Sequence, residues 1–352
     1  MSEFPGDIYK WYKKNSRNLP WRETKDPYKI WISEIILQQT RVAQGMDYYL
    51  RFIERFPTVG SLAATGEDEI LKLWQGLGYY TRARNLHLAA KTIVRDYQGQ
   101  FPYTYENIRK LKGVGDYTAA AVASIAFGLP YPLADGNVYR LFARYFGIST
   151  PIDTVKGKNE ILNIAKQLMP SQNAGLHNQS LMEFGALQCV PKSPTCDVCP
   201  LIQSCFAAQN LLVETLPVKS KKTKQTVRYF YYYYIEHKNS VFLEKRVRQD
   251  IWKGLYQFPL FESDKNLTEN EFLNRKHIPV PENIVVNIKS VSAEKKHILS
   301  HQIIFARLIH MEIDKTEGLP QTLVQVNQKD ISKFAVPKLL EGFMDELHLA
   351  KN

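Results

Sequence analysis

Up to about residue 210, apolar side chains recur every three or four positions, the period of a helix, and short Gly, Pro or Asn breaks separate the windows. The pattern predicts helices over Asp7–Lys14, Pro27–Val42, Asp47–Phe56, Glu67–Gln75, Arg82–Asp96, Tyr105–Leu111, Thr118–Phe127, Val138–Phe146, Lys158–Leu168 and Asn178–Cys189. From Leu216 to Arg228 the chain turns basic and loses large apolar groups, the composition of a linker. Beyond it, Tyr229–Ile235 and Val241–Lys245 are β-branched or aromatic runs around a turn-like His237–Ser240. Further strands are expected at Ile284–Ile288, Ile303–His310 and Leu323–Val326, and Pro337–Leu347 reads as a closing helix. The chain is therefore expected to be multidomain, with an all-α region over residues 1–215, a basic linker over 216–228 and a smaller α+β domain over 229–352.

The helical window Pro27–Val42 departs from an amphipathic stripe. Asp26 and Pro27 supply an N-cap and a first-turn residue, and Ile30, Trp31 and Leu37 share a face with a lone carboxylic acid, Glu34. Ile32, Ile35 and Ile36 cover much of the remaining circumference, so the helix is expected to be buried nearly all round. A carboxylate there loses water, which disfavours its charged form and raises its pKa. Either Glu34 is satisfied by an Arg or by backbone amides, or it is a proton donor near neutral pH.

Composition narrows the partner. The 352 residues carry 46 Lys and Arg against 35 Asp and Glu, a formal charge of +11, the balance of a protein that meets phosphate. The amino terminus lacks a signal-peptide core, and no run of apolar residues is long enough for a membrane helix, so a cytoplasmic protein away from membranes is expected. Its four cysteines, Cys189, Cys196, Cys199 and Cys205, are spaced C-x6-C-x2-C-x5-C, which in a reducing compartment points to a metal site before a disulfide pair. Zinc is the generic reading of four cysteines, although zinc sites usually show two CxxC knuckles and this run has one.

One turn suggests how phosphate is met. LKGVGDYTA at 111–119 runs from one helical segment through Gly113, Val114 and Gly115 into another, with Asp116 placed to cap it. Two glycines around a small hydrophobe allow a hairpin whose N–H groups and following helix N-terminus face one anion, or make a plain interhelical turn.

Five segments together resemble the MutY-type adenine DNA glycosylases of the endonuclease III, helix-hairpin-helix superfamily: SEIILQQTRV at 33–42, GLGYYTRARNL at 76–86, LKGVGDYTA at 111–119, LADGNVYRLFAR at 133–144 and the cysteine run at 189–205. The resemblance implies a helix-hairpin-helix domain over about 22–130, an iron-sulfur domain formed by 1–21 and 131–215, and a Nudix-like C-terminal domain. Bifunctional members carry a Lys after the hairpin, where this chain has Tyr117, and a phenol cannot form the Schiff base of a lyase. Removal of adenine without strand cleavage is therefore expected.

Glu34 matches the family's general acid and Asp135 the carboxylate that faces the anomeric carbon, although by itself Asp135 also reads as an N-cap for the helix at Val138. Tyr117 matches an active-site Tyr. Trp21 and Arg22 match positions near the expelled adenine, and otherwise read as core and as an ion-pair partner. Leu37, Gln38, Gln39 and Tyr79 match residues inserted into the duplex, and Gln179 stands where some relatives carry Glu. The cysteines match a 4Fe-4S loop that presents basic residues such as Lys192 to DNA.

In the C-terminal domain, YQFPLFE at 256–262 and ILSHQIIFARL at 298–308 resemble Nudix-like sequences, but no R-E-x-x-E-E metal-holding cluster follows Pro259. Leu299, Ser300 and His301 occupy the place of the family's aromatic-Ser-His loop, with Leu299 departing from the aromatic; read alone they form an ordinary exposed loop. A Ser hydroxyl that accepts from the N7–H of oxidised guanine would tell it from normal guanine. The implied partner is double-stranded DNA holding 8-oxoguanine:adenine or guanine:adenine mispairs, met by a monomer at the chromosome. An endonuclease III-like glycosylase/lyase and a noncatalytic iron-sulfur mispair-binding protein are the competing readings.

Overall fold

A computed structural model describes residues 4–220 and 225–347; linker positions 221–224 and C-terminal positions 348–352, assigned above to linker and Nudix-like domain, lie outside the described residues. Helices follow one another as expected: α1 (Phe4–Asn15), α2 (Pro27–Leu37), α3 (Val42–Arg55), α4 (Val59–Ala64), α5 (Glu67–Leu73), α6 (Thr81–Tyr97), α7 (Tyr105–Lys110), α8 (Asp116–Phe127), α9 (Gly136–Phe146), α10 (Val155–Leu168) and α11 (Ala174–Leu187). The short α4 lies where no helix was expected. The window Pro27–Val42 also divides differently: α2 stops at Leu37, Gln39 takes a left-handed φ of 56°, and α3 begins at Val42. Gln38 to Arg41 contain neither Gly nor Pro, so no local breaker announces that stop.

The described residues fall into two units, one holding the chain up to Ala64 with the stretch from Asn85 to Ser220, the other holding Thr65–Arg84 with the chain from Gln225 onward. In the first unit α2 packs along α3 and α8, and α11 along α1, α8 and α9. The Ala-rich α8 has little side-chain bulk to hold its neighbours off. One core cluster gathers Phe4, Val138, Leu141, Phe142, Ile161 and Phe184.

In the second unit an eight-stranded mixed sheet is built on two long strands, β1 (Thr226–His237) and β2 (Gln302–Ile313), paired in parallel from Thr226↔Gln302 to Glu236↔Glu312. The β1 residues alternate between two cores: Phe230, Tyr232 and Tyr234 pack on one side with the closing helix Lys338–Glu346, Tyr231, Tyr233 and Ile235 on the other. The expected α+β character of this half holds. Among the described residues no helix is long and apolar enough to cross a membrane.

Candidate active site

α2 is built to hold an acid out of water. Asp26 caps it by accepting from the Tyr28 N–H at 2.9 Å, and every residue from Ile30 to Ile36 is buried, Glu34 at 8% exposure. Asp135 is presented by the start of another helix. It is the N-cap of α9, its Oδ1 accepting from the N–H of Asn137 (2.9 Å) and Val138 (2.8 Å), its Oδ2 from Asn137 Nδ2 (2.7 Å). The chain entering that cap is fixed by buried Asn178, which donates to Tyr131 O (2.9 Å) and Ser124 Oγ (2.8 Å). α11 crosses there without a side chain in the way, since a Cβ on Gly185 would stand 2.8 Å from the Asn137 carbonyl oxygen.

The two acids meet in one cleft of about 1300 Å³, part of it open to solvent. Trp21, Arg22, Leu37, Tyr117 and Gln179 line it with them. Several of these residues combine a structural role with a place on the cleft wall. Asp135 is an N-cap and a cleft carboxylate. Trp21 is core, edge-on to Tyr49 with ring centres 5.0 Å apart, and also part of the wall. Arg22 pairs with an acid, but the acid is Glu183, a cleft residue absent from the sequence reading, whose Oε2 accepts from Arg22 Nη2 at 2.7 Å.

Glu34 is pushed up to about 7, first by burial; a hydrogen bond from Tyr117 opposes this, the negative charge of Asp135 adds to it, and Arg22 opposes it again. Burial also raises Asp135, while the Val138 and Asn137 donors and Arg140 pull it back. The Tyr117 hydroxyl, which stands 3.2 Å from Met182 Sδ, is raised well above the usual phenol range by burial and by the two acids. At neutral pH it stays a hydrogen-bond donor.

The remaining expected DNA contacts lie outside the cleft. Gln38 Nε2 donates to Thr118 Oγ1 at 3.2 Å, and exposed Gln39 has the positive φ noted above. At the hairpin Gly113 has φ 78°, and a Cβ there would come within 2.6 Å of Asn85 Cβ. The Val114 side chain is buried and its N–H closes the turn onto Leu111 O (3.1 Å), which leaves the Gly115 end and the first turn of α8 to face an anion. Gly115, and not Asp116, is the N-cap; Asp116 is the first helical residue and pairs with Arg109.

Within the second unit, Tyr79, Leu299, Ser300 and His301 line a separate cleft with Trp252 and Arg84. Tyr79 has φ 49°, is 46% exposed, and its hydroxyl meets Ser300 Oγ at 2.5 Å. Ser300 and His301 are exposed, whereas Leu299 leans on the domain core.

All four cysteines line one small cavity. Buried Arg144 ties their loop together, donating to Val190 O (2.7 Å), Pro191 O (3.0 Å), Leu216 O (3.0 Å) and Cys189 Sγ (3.5 Å). Among the described residues no group of three or more His, Cys, Asp or Glu is arranged to hold a metal ion.

Residues 32–170 of this helical domain, which holds the carboxyl-lined cleft and the Gly-rich hairpin, match the model of the HhH-GPD superfamily base excision DNA repair proteins. Residues 230–346 match a NUDIX domain. An adenine DNA glycosylase of Buchnera aphidicola (subsp. Acyrthosiphon pisum) is 37% identical over 84% of this chain and 83% of its own length. A second, from the Schizaphis graminum subspecies, is 34% identical over 96% of both. The chain belongs to the adenine DNA glycosylase family, and is a monofunctional DNA glycosylase of the MutY type. Among solved structures, a thermostable thymine-DNA glycosylase superimposes with a TM-score of 0.56 at 31% identity, over 59% of this chain and 96% of that one.

Proposed function

We propose that the protein hydrolyses the N-glycosidic bond of adenine mispaired with 8-oxoguanine or guanine in double-stranded DNA. The observation that carries this reading is the pairing in one cleft of Glu34, pushed up to about 7, with the helix-capped Asp135. Adenine leaves poorly as an anion, so an acid must protonate it while the sugar gains oxocarbenium character. Glu34 is that acid, the protonated partner. Asp135, with three N–H donors on its oxygens, is the ionised one that stabilises the cation before water attacks. The adenine must first leave the stack, helped by Leu37, Gln38, Gln39 and Tyr79 entering the duplex, with Trp21, Arg22 and Gln179 around the expelled base. Non-glycine residues with left-handed backbone, Gln39 and Tyr79, are of the kind found where function holds a strained conformation.

The hairpin at Gly113, Val114 and Gly115 grips the DNA backbone, and Ser300, hydrogen-bonded to Tyr79, reads the oxidised guanine with His301 and Leu299 beside it. Cys189, Cys196, Cys199 and Cys205 would hold a 4Fe-4S cluster. That cluster would crosslink the loop and would take no part in hydrolysis. The protein acts as a monomer in the chromosome's compartment, with domain boundaries at about 215 and 228.

The test is adenine release from an 8-oxoguanine:adenine duplex, read by hot-alkali cleavage of the adenine strand. Glu34→Gln and Asp135→Asn are each expected to slow release by ~10²–10⁴-fold while mispair binding persists; wild-type release in either removes its role. Ser300→Ala should harm the oxidised mispair more than guanine:adenine, and equal harm to both refutes the assignment of Ser300.

A further inference from the structure

The proposed chemistry uses two of the cleft's carboxylates and leaves a third unexplained. Glu183, on α11, is 1% exposed, yet it is held as an anion: its Oε1 accepts from the Arg17 N–H (2.9 Å) and Nε (2.8 Å), its Oε2 from Arg17 Nη2 (2.5 Å) and Arg22 Nη2 (2.7 Å). Arg22 also donates to Arg17 O at 3.2 Å, so one carboxylate fixes two guanidiniums at the wall that Glu34 shares.

Those cations work against a proton donor. An acid stays protonated when nearby charge is negative or absent, and each unpaired positive charge in a poorly solvated cleft favours its ionised form. The titratable groups that line the cleft with Glu34 are Tyr117 from α8, Asp135 from the start of α9, Arg22 and Arg17 from the amino-terminal segment, Arg41 from the turn after α2, and Glu183 from α11, while α3 contributes Val42 and Ala43; of the cations, Arg22 is the one whose charge bears on Glu34 directly. Three of these are cationic. Without Glu183, only Asp135 would offset them.

We propose that Glu183 is a positioning residue of the reaction, tying down and cancelling the Arg17 and Arg22 charges beside the acid so that Glu34 keeps its proton at neutral pH. The proposal rests on the reading of Glu34 as proton donor. Burial alone would raise Glu183, and the Arg17 and Arg22 hydrogen bonds reverse this and hold it down at about 2, so its charge is present throughout the working range.

Single-turnover adenine release by the cluster-loaded enzyme, followed against pH, tests it. Glu183→Gln should move the alkaline limb of the profile to lower pH by about one unit, which is roughly a tenfold lower rate on that limb. Because Glu183→Gln strands two cations and could unfold the domain, the double variant Arg17→Met with Glu183→Gln is measured beside it; losing one cation should move the limb back towards wild type. A loss of the same size at every pH, an unmoved limb, or a double variant shifted further than the single one overturns the proposal. Infrared titration of the protonated Glu34 carboxyl, identified by its absence in Glu34→Gln, gives a readout independent of turnover. A midpoint lowered in Glu183→Gln supports the charge effect even if Glu34→Gln still releases adenine, an outcome that would refute only the donor reading. An unmoved midpoint overturns the proposal.

Discussion

The α2 and α11 walls of the cleft each bury a glutamate, and the two behave oppositely. Glu34 is 8% exposed and Glu183 1%, yet the first is pushed up to about 7 and the second held down at about 2. Burial raises both; the partners decide. Glu34 has one hydrogen-bond donor, the Tyr117 phenol, with the opposed charges of Asp135 and Arg22 nearby, while Glu183 accepts from two guanidiniums and a backbone N–H. In a poorly solvated cleft, the count of donors separates a carboxyl that gives up a proton from one that holds an arginine in place.

The largest expected effect is on stability, and it has opposite signs on the two walls. Glu34, raised from 4.5 to about 7, favours the folded state only while protonated, so its contribution is complete below pH 4.5 and is lost as pH rises through 7. Above pH 7 that carboxylate is a burden, and Glu34→Gln should unfold at higher denaturant, by at most about 3 kcal/mol. Glu183 has the opposite linkage: its contribution is present above pH 4.5 and is lost as pH falls towards 2. Glu183→Gln, which takes the carboxylate from Arg17 and Arg22, should cost about 2 kcal/mol at pH 8, less than a fully buried pair because the Arg17 side chain is 35% exposed. Denaturant unfolding of both variants at pH 8 decides this, and the same sign for both would break the comparison.

A smaller effect is expected where a partner acts at one remove. Buried Arg140 donates to Asn137 Oδ1 (2.8 Å), Gly185 O (2.6 Å) and Cys189 O (2.7 Å), and Asn137 in turn donates to Asp135. Arg140→Gln removes most of these bonds, so Asp135 loses its fixed pose together with one of the groups that hold its pKa down. Turnover should fall by about one to two powers of ten, the value of a charge-assisted bond or two, with affinity for product DNA nearly unchanged. A parallel loss of turnover and affinity would place Arg140 in DNA binding instead.

What could be read from the chain follows the range over which each feature is determined. The burial of α2 and the raised acid in it were legible, because Ile30 to Ile36 surround Glu34 within one helix. So were the Asp135 cap and the single cavity of the cysteines, each set by residues close in sequence. The end of α2 at Leu37 was not, since Gln39 leaves the helix without a Gly or Pro to signal it. Nor was the parallel pairing of β1 with β2, whose partners lie more than seventy positions apart. Glu183 was missed for the same reason. Its place in the apolar run Leu181-Met182-Glu183-Phe184 carries the signal that singled out Glu34, but the sign of its pKa depends on Arg17 and Arg22 from the other end of the domain.

The smallest expected effect comes from an ion pair of the same chemistry placed in water. At the hairpin Arg109 Nε lies 2.5 Å from Asp116 Oδ1, as short as the contact between Arg17 and Glu183, but the two side chains are 46% and 79% exposed. Water and salt screen such a pair, and ordering two mobile side chains offsets what attraction is left. Asp116 also sits in the first turn of α8, where a negative charge favours the helix N-terminus. Asp116→Asn should therefore cost at most about 1 kcal/mol, and less at high ionic strength. It should also strengthen binding to undamaged duplex at low salt, since Arg109 and the start of α8 lose a charge that repels phosphate. Thermal unfolding with and without added salt, and a binding series in the same buffers, measure both. A salt-independent loss as large as that of Glu183→Gln would mean that exposure does not set the strength of these pairs, and the contrast between the two walls would need another cause.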